Sequence, residues 1–133
     1  MPPKLDIRCI VSGAQTGGAI SVFKEIVQPG IGPPRHIHHG QIEIFHVLSG
    51  ILLFEVDGVR STVTSGGAAV VPVGAVHAFR NIGDTPATLH YELLPSGNSE
   101  EAFERIVREE IEDAAAFFES YGMKMAGPPL EAP

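Results

Sequence analysis

Three histidines and one glutamate in this sequence have types and spacing that suit a shared metal ion. His36 and His38 are two residues apart, so on an extended segment both imidazoles point to the same face. Glu43 adds a carboxylate after a short turn, and a later strand of a small barrel would bring His77 opposite the pair. Three imidazoles and a carboxylate suit Mn, Fe, Co, Ni, Cu or Zn, and an octahedral ion would keep two positions open for water, oxygen or substrate. The pattern therefore predicts a site for one divalent transition metal ion, but it does not identify the metal.

The four candidate ligands belong to two blocks with regular spacing. In the first block, five, one, four and six residues separate Gly30, His36, His38, Glu43 and Gly50. In the second block, five, one, two and three residues separate Gly66, Pro72, Gly74, His77 and Asn81. The blocks occupy residues 30–50 and 66–81, and 15 residues lie between them.

Both blocks resemble the two motifs of the cupin family at every fixed position, and the stretch between them is similar to a short inter-motif loop of that family. The resemblance implies a jelly-roll barrel whose metal ligands are His36, His38, Glu43 and His77. Known cupins include dioxygenases that act on flavonols or diketones, oxalate-processing enzymes, sugar isomerases and epimerases, and non-enzymatic storage or regulatory proteins. The family therefore implies the fold and the metal more firmly than the reaction.

The sequence before Pro95 is rich in short β-type runs separated by turn residues, which is typical of an all-β sandwich or barrel. Asp57-Gly58 suits a type I′ turn between two alternating runs, and Ser49-Gly50 suits a second tight turn. Hairpins with no helix between them favour antiparallel pairing, and hence a jelly roll or closed barrel. The predicted strands are residues 19–27, 42–48, 51–56, 59–64, 68–71, 76–80 and 87–94.

From residue 98 the pattern becomes helical. Apolar residues recur at intervals of three and four and form one stripe, namely Phe103, Val107, Ile111, Ala114, Phe118 and Tyr121. Asn98 followed by Glu101 suits a helix start with a capping box, and Gly122 suits its end. This predicts a barrel in residues 1–95, and a C-terminal α-helix with a Pro-rich tail in residues 96–133. The helix is either a lid over the barrel mouth or an arm packed on the outside of the barrel or on a second subunit. We favour outer packing, because lids are usually loops with flexible hinges.

Strand parity predicts which side chains surround the metal ion. Phe45 and Val47 share the face of Glu43, and Phe79 shares the face of His77. The predicted substrate pocket is therefore apolar, and its candidate residues are Phe45, Val47, Phe79 and, on the last strand, His90. Four other side chains are predicted to face away from the site, namely Arg35, His39, His46 and Arg80.

The composition excludes several classes of partner. A net charge of −7 makes phosphate backbones and anionic lipid surfaces unfavourable. Cys9 is the only cysteine, which excludes an internal disulfide and a CxxC motif. The first residues lack the apolar region of a signal peptide, so we expect a cytoplasmic protein with no membrane or nucleic-acid partner. A homodimer or larger assembly is predicted from the apolar helical stripe, from the exposed edge strands of a small barrel, and from the oligomers that are common in the resembled family.

These observations predict a metal-dependent, dioxygenase-type enzyme that acts on a small oxygenated molecule, such as a diketone or flavonol. The metal ion would activate a chelated enolate or hydroxyketone, and Glu43 would be either a ligand or, off the metal, the general base. The alternatives are a metal-assisted isomerase or hydrolase, and a binding protein whose metal ion only anchors an anion. The motifs fix no second acid or base, which favours oxygen chemistry over isomerisation.

Overall fold

The computed structural model describes residues 5–133, which form two five-stranded antiparallel sheets and short helices. The strands are β1 (Asp6–Val11), β2 (Ser21–Val27), β3 (Pro34–His38), β4 (Ile42–Ser49), β5 (Ile51–Val56), β6 (Val59–Thr64), β7 (Ala68–Val71), β8 (His77–Asn81), β9 (Ala87–Leu94) and β10 (Met123–Pro129). The helices are a 3₁₀ turn (Gly13–Thr16), α1 (Ser99–Val107) and α2 (Ala114–Ser120). The strand orders are β1-β2-β9-β4-β7 and β10-β3-β8-β5-β6. This confirms the predicted all-β jelly roll with C-terminal helical structure.

Alternating side chains build a core between the two sheets. In β2 and β9 every second residue is buried, and the two strands pair along their whole length. The ring of Phe45 on β4 lies 5.2 Å from Tyr91 in its own sheet, and 5.1 and 5.5 Å from Phe54 and Phe79 in the other. These aromatic contacts join the sheets at the centre of the barrel.

The seven predicted runs are all strands, with ends within two residues of the predicted ones. Asp57 and Gly58 have φ angles of 48° and 80°, as a type I′ turn requires. β1 was not predicted, and it extends the first sheet by pairing with β2.

The loop before β3 approaches β8 very closely at Gly32. A Cβ atom at this position would lie 1.8 Å from the carbonyl oxygen of Phe79, so only glycine fits. The approach brings β3 beside β8, where His36 and His77 form a cross-strand pair.

The C-terminal helical segment differs from the single helix that the sequence predicted. Residues 108–113 separate α1 from α2, and Glu109 within them has a φ of 59°. Asp113 starts α2, because its Oδ1 accepts a hydrogen bond from Ala116 N–H at 3.1 Å. Asn98 occupies the N-cap of α1, but its side chain makes no capping hydrogen bond. The predictions of a continuous helix and of a capping box at Asn98 are therefore wrong.

Among residues 5–133, no helix is long and apolar enough to span a membrane.

The proline-containing segment after Gly122 forms a strand. β10 pairs antiparallel with β3 and covers its free edge. Arg35 Nη1 donates a hydrogen bond to Pro128 O at 2.9 Å, and Arg80 Nη1 donates one to Leu130 O at 3.0 Å. Prolines are tolerated in β10 because it is an edge strand. The two arginines thus hold the C-terminal segment against the barrel.

Candidate metal centre and its cavity

β3 and β8 place three histidines side by side inside the barrel. His36 and His38 lie on β3, and His36 pairs with His77, the first residue of β8. The ring centroids of His36 and His77 are 4.2 Å apart, and each lies 5.2 Å from the ring centroid of His38. The structure thus brings together the three imidazoles that the spacing singled out.

Glu43 reaches these histidines from β4 in the other sheet and is only 3% exposed. Its Oε1 lies 3.1 Å from His77 Nε2 and 3.3 Å from His38 Nε2. One ligand atom from each of the four residues lies within 4.8 Å of the others. We call these four residues the histidine end, and they are His36, His38, Glu43 and His77.

Hydrogen bonds on the outer side of two rings prepare their inner nitrogens for a cation. His36 Nδ1 lies 2.8 Å from Pro34 O, and His77 Nδ1 lies 3.1 Å from Ala75 O. A carbonyl oxygen only accepts, so each Nδ1 carries the proton and each neutral ring presents a lone pair at Nε2. At His77 the lone pair of Nε2 faces Oε1 of Glu43. Both atoms are acceptors, so their approach is favourable only when a proton or a metal ion lies between them.

His38 supports the same interpretation. Both of its ring nitrogens are buried without a hydrogen-bond partner among the described residues, because the 3.3 Å approach to Glu43 lacks hydrogen-bond geometry. Buried polar atoms without partners are rare and call for a ligand. Three nitrogen donors and one oxygen donor suit a divalent first-row transition ion. The residues present therefore fit such an ion, and they form one buried cluster.

The charges of the histidine end follow from burial and from neighbouring rings. Burial lowers the pKa of His36 to about 3, because it disfavours the charged ring, and protonation of the neighbouring His77 or His38 would disfavour a charge on His36 further. Burial alone would raise the pKa of Glu43, but His38 and His77 hold it well below its ordinary value. At neutral pH the site therefore offers a neutral imidazole at His36 and an ionised carboxylate at Glu43, as a metal ion requires.

The histidine end faces an apolar cavity of about 300 Å³. Phe45 and Phe79, two of the predicted pocket residues, lie in its wall. Apolar residues of the helical segment close another side, namely Phe103, Ile106, Ile111, Ala114 and Phe118. The helical segment therefore covers the cavity, and the favoured prediction that it packs on the outside of the barrel is wrong.

Two other predicted pocket residues lie outside the cavity wall. Val47 is buried in the main core, but it does not line the cavity. His90 lies on the outer face of β9, because the buried residues of this strand include its neighbours Leu89 and Tyr91. It pairs there with His46 of β4. The prediction that His90 lines the pocket is therefore wrong, and the reason is the strict alternation of β9.

The side chains predicted to face away from the site have other surroundings. His39 is exposed, and His46 Nε2 lies 2.9 Å from Glu92 on the outer face of the sheet. Arg35 and Arg80 bind the C-terminal segment, as described above. Within the described part of the chain, none of these four side chains lines the cavity.

Two polar residues of the cavity wall were not singled out as a pair by the sequence. Glu25 on β2 is 7% exposed, and its Oε1 accepts a hydrogen bond from Tyr91 Oη at 3.1 Å. Burial raises the pKa of Glu25 to about 8; the Tyr91 hydrogen bond opposes this shift, and the charges of Glu43 and Asp6 reinforce it. Burial also raises the pKa of Tyr91 well above its ordinary value. The cavity thus contains a carboxyl group that is mostly protonated at neutral pH.

The chain matches one protein-family model. The model is described as a cupin domain, and it matches residues 23–93. This stretch is more than half of the chain, and it contains every residue of the histidine end.

Three known proteins illustrate what the chain is similar to. The chain is 41% identical over 70 residues to the probable oxidoreductase patJ of Aspergillus clavatus, and the match covers 50% of this chain and 22% of patJ. It is 30% identical over 92 residues to the polyketide synthase CurC of Streptomyces cyaneus, with coverages of 68% and 59%. The chain therefore spans less than two thirds of either relative. Its structure is similar to that of an oxalate oxidase in complex with glycolate, with a TM-score of 0.62, 26% identity, and coverages of 72% and 53%.

Proposed function

Because the chain belongs to the cupin family, we propose that it is a metal-dependent oxidoreductase of the dioxygenase type that acts on a small, largely apolar molecule with enolisable oxygens. The proposal depends on one observation: a buried cluster of three histidines and a glutamate faces an apolar cavity of about 300 Å³. That volume lies at the lower end of small-molecule sites. The names of two similar proteins, a probable oxidoreductase and an oxalate oxidase, support the reaction class.

The cavity lining supports a diketone, a flavonol or a related substrate over a small dianion. Among the described residues no lysine or arginine lines the cavity, so a second carboxylate of a dianion would be buried without a cationic partner. An uncharged ring or alkyl chain would instead bury apolar surface against the aromatic walls. The similarity to a polyketide synthase also supports this class, because polyketide chains carry β-diketone units.

The residues of the site would have three roles, which are metal binding, substrate binding and proton transfer. The ligands of the metal ion are His36, His38, Glu43 and His77. A bound transition metal ion supplies Lewis-acid polarisation of a substrate oxygen and, when it is redox-active, electrons for oxygen chemistry. Phe45 and Phe79 hold the apolar body of the substrate, and the helical residues exclude water. Glu43 is ionised at neutral pH, and when it is not a ligand its carboxylate would be the base that accepts a proton from an enolisable carbon.

The experiment begins with the metal content of the purified protein. Metal-free protein is then loaded separately with Fe, Mn, Ni, Cu or Zn, and oxygen uptake is measured with diketones, flavonols, oxalate and glycolate. We expect uptake with a redox-active ion and a diketone or flavonol, and none with Zn. The His77→Ala variant is the control. The absence of uptake with every ion and substrate would contradict the proposal, and uptake with oxalate or glycolate alone would contradict the substrate class.

Metal-assisted isomerisation is a second candidate, and one observation favours it. Glu25 gives the cavity the additional acid that the motifs do not supply. If the Zn-loaded protein exchanges the α-hydrogens of an enolisable ketone with solvent deuterium, and no loaded form consumes oxygen, this candidate replaces the first.

A further inference from the structure

Glu25 occupies an inward position that packing alone does not explain. The buried residues of β2 alternate along the strand, and they are Ser21, Phe23, Glu25 and Val27. Burying a carboxyl group costs free energy, whereas burying an apolar side chain in its place would be favourable. Within residues 5–133, Glu25 forms no ion pair, and its hydrogen bond is with Tyr91. A leucine would therefore serve the core better than this carboxyl group does.

The groups around Glu25 disfavour its ionisation. Glu43 on β4 and Asp6 on β1 are acidic, and Tyr91 on β9 is the hydrogen-bond donor. The imidazoles of the histidine end line the same cavity from β3, and the helical residues that line it are apolar. Burial and the two acidic neighbours together outweigh the hydrogen bond of Tyr91 and raise the pKa of Glu25 to about 8.

Glu25 and Tyr91 line the same cavity as the histidine end. Among the described residues, the ionisable groups of the cavity wall belong either to this pair or to the histidine end. A substrate held by the metal ion would therefore meet a second polar group in an otherwise apolar surrounding. Its remaining oxygen atoms would be desolvated there, and a hydrogen-bond donor would offset that cost.

We propose that Glu25 is the hydrogen-bond and proton donor to an oxygen of the substrate held at the histidine end, and that Tyr91 is its positioning residue. This inference rests on the proposed function. In the transfer, the O–H bond of Glu25 breaks and an O–H bond forms on a substrate oxyanion. The resulting carboxylate accepts the hydrogen bond of Tyr91, and water returns the proton after product release. The substrate is accordingly an apolar molecule with a further carbonyl or oxyanion besides the oxygens at the metal ion.

The test uses Zn-loaded protein and salicylate, a fluorescent, chelating aromatic anion whose charge is constant between neutral and mildly alkaline pH. Glu25→Gln keeps a hydrogen-bond donor, and Glu25→Leu removes it. We expect Glu25→Gln to retain salicylate affinity and Glu25→Leu to lose it roughly tenfold to a hundredfold, the range of one hydrogen bond to a charged group. Zinc content should be the same in both, because no ligand is removed. Glu92→Gln, on the outer face of β9, is the matched control and should bind salicylate like the wild type.

The pH dependence of salicylate affinity gives a second readout that a structural role would not change. Wild-type affinity should fall as the pH rises through the pKa of Glu25, and Glu25→Gln should lack this fall. The hydrogen bond of Tyr91 lowers the pKa of Glu25, so Tyr91→Phe should move the fall to higher pH. If Glu25→Leu does not fold, the pH profiles of the wild type, Glu25→Gln and Tyr91→Phe test the proposal without it.

The outcomes separate the two proposals. Identical affinities and pH profiles in the wild type and the Glu25 variants, with zinc retained, would overturn the role of Glu25 and leave the proposed function intact. If the Zn-loaded wild type does not bind salicylate, the proposal for Glu25 is overturned, whereas the proposed function is decided separately by the oxygen-uptake measurement.

Discussion

Glu43 and Glu25 are buried carboxyl groups that line the same cavity, but at neutral pH Glu43 is ionised and Glu25 is mostly protonated. Glu43 is 3% exposed and Glu25 is 7% exposed, and burial alone would raise the pKa of both. His38 and His77 hold the pKa of Glu43 well below its ordinary value, whereas the pKa of Glu25 is raised to about 8. In this cavity the neighbours of a carboxyl group, and not its depth, therefore decide its charge.

The difference between these two regions suits acid–base chemistry on one bound molecule. An anion at the histidine end attracts a cation, and a neutral acid elsewhere in the wall offers a proton. Two titratable groups whose surroundings move their pKa values apart are a common basis for assigning a base and an acid.

Removal of a histidine should abolish metal binding. His38→Ala and His77→Ala each delete a ligand nitrogen and leave Glu43 buried with fewer partners. Even the loss of a group that only orients a ligand lowers metal affinity about 10- to 100-fold, so these variants should lose more. Elemental analysis of variants purified beside the wild type checks this. Unchanged metal content in both variants would falsify the assignment of the metal centre.

The stability of the metal-free protein should depend on pH through Glu25. Its pKa is about 8 in the folded state against an ordinary 4.5, so the folded state binds this proton more tightly. The stabilisation is complete below pH 4.5 and is lost as the pH rises towards 8. At 1.36 kcal/mol per pKa unit, the loss amounts to at most about 5 kcal/mol.

Urea unfolding across this pH range measures the effect. Glu25→Gln should lack the decline, and Glu92→Gln, whose carboxylate lies beside His46 on the outer face, should retain it. Parallel stability curves for the wild type and Glu25→Gln would contradict the raised pKa.

Phe79→Ala tests the apolar wall of the cavity that both carboxyl groups line. Phe79 is 5% exposed, and its ring contacts those of Phe45 and Phe54. The variant should lose about 3 to 5 kcal/mol of unfolding free energy, keep its metal ion and bind salicylate more weakly. Thermal melting and fluorescence titration are measured on the metal-loaded protein. A large loss of melting temperature with unaltered salicylate affinity would show that Phe79 serves packing alone.

The smallest effect should come from a carboxylate outside the barrel. Glu92 lies 2.9 Å from His46, but the two side chains are 23% and 44% exposed. His46→Ala should therefore change the unfolding free energy by less than about 1 kcal/mol and leave metal content unchanged. Chemical denaturation and elemental analysis check both values. A loss of metal would mean that the outer face of the sheet supports the metal site.

The strands and the metal cluster could be predicted because their signals are local. Alternation and turn residues identify the strands, and the spacing of His36, His38 and Glu43 matches the strands that carry them. The burial of Glu25, as opposed to that of its neighbour Lys24, could not be predicted in this way. In residues 21–27 each face of the strand carries one charged residue, Glu25 on one and Lys24 on the other. Periodicity alone does not tell which of the two is buried.

The C-terminal segment shows where local signals were misread or missing. The apolar stripe continues across residues 108–113, but four of these six residues are acidic, and mutual repulsion disfavours a helix there. Asp113 followed by alanines was a usable signal for a new helix start. β10 contains two prolines and a glycine and has no β-type pattern. It is a strand because the open edge of β3 accepts it, which is a tertiary effect.

The pairing of β3 with β10 has a consequence for the order of events during protein synthesis. Met123 pairs with His38 and follows it in the chain by 85 residues, whereas β3 meets β8 at the single pair of His36 and His77. The strand that carries two of the histidines therefore waits for its main partner until residues 123–129 have left the ribosome. Pairings between distant segments form slowly. The metal site is accordingly expected to form only after β10 has paired with β3, and later than the hairpins between neighbouring strands.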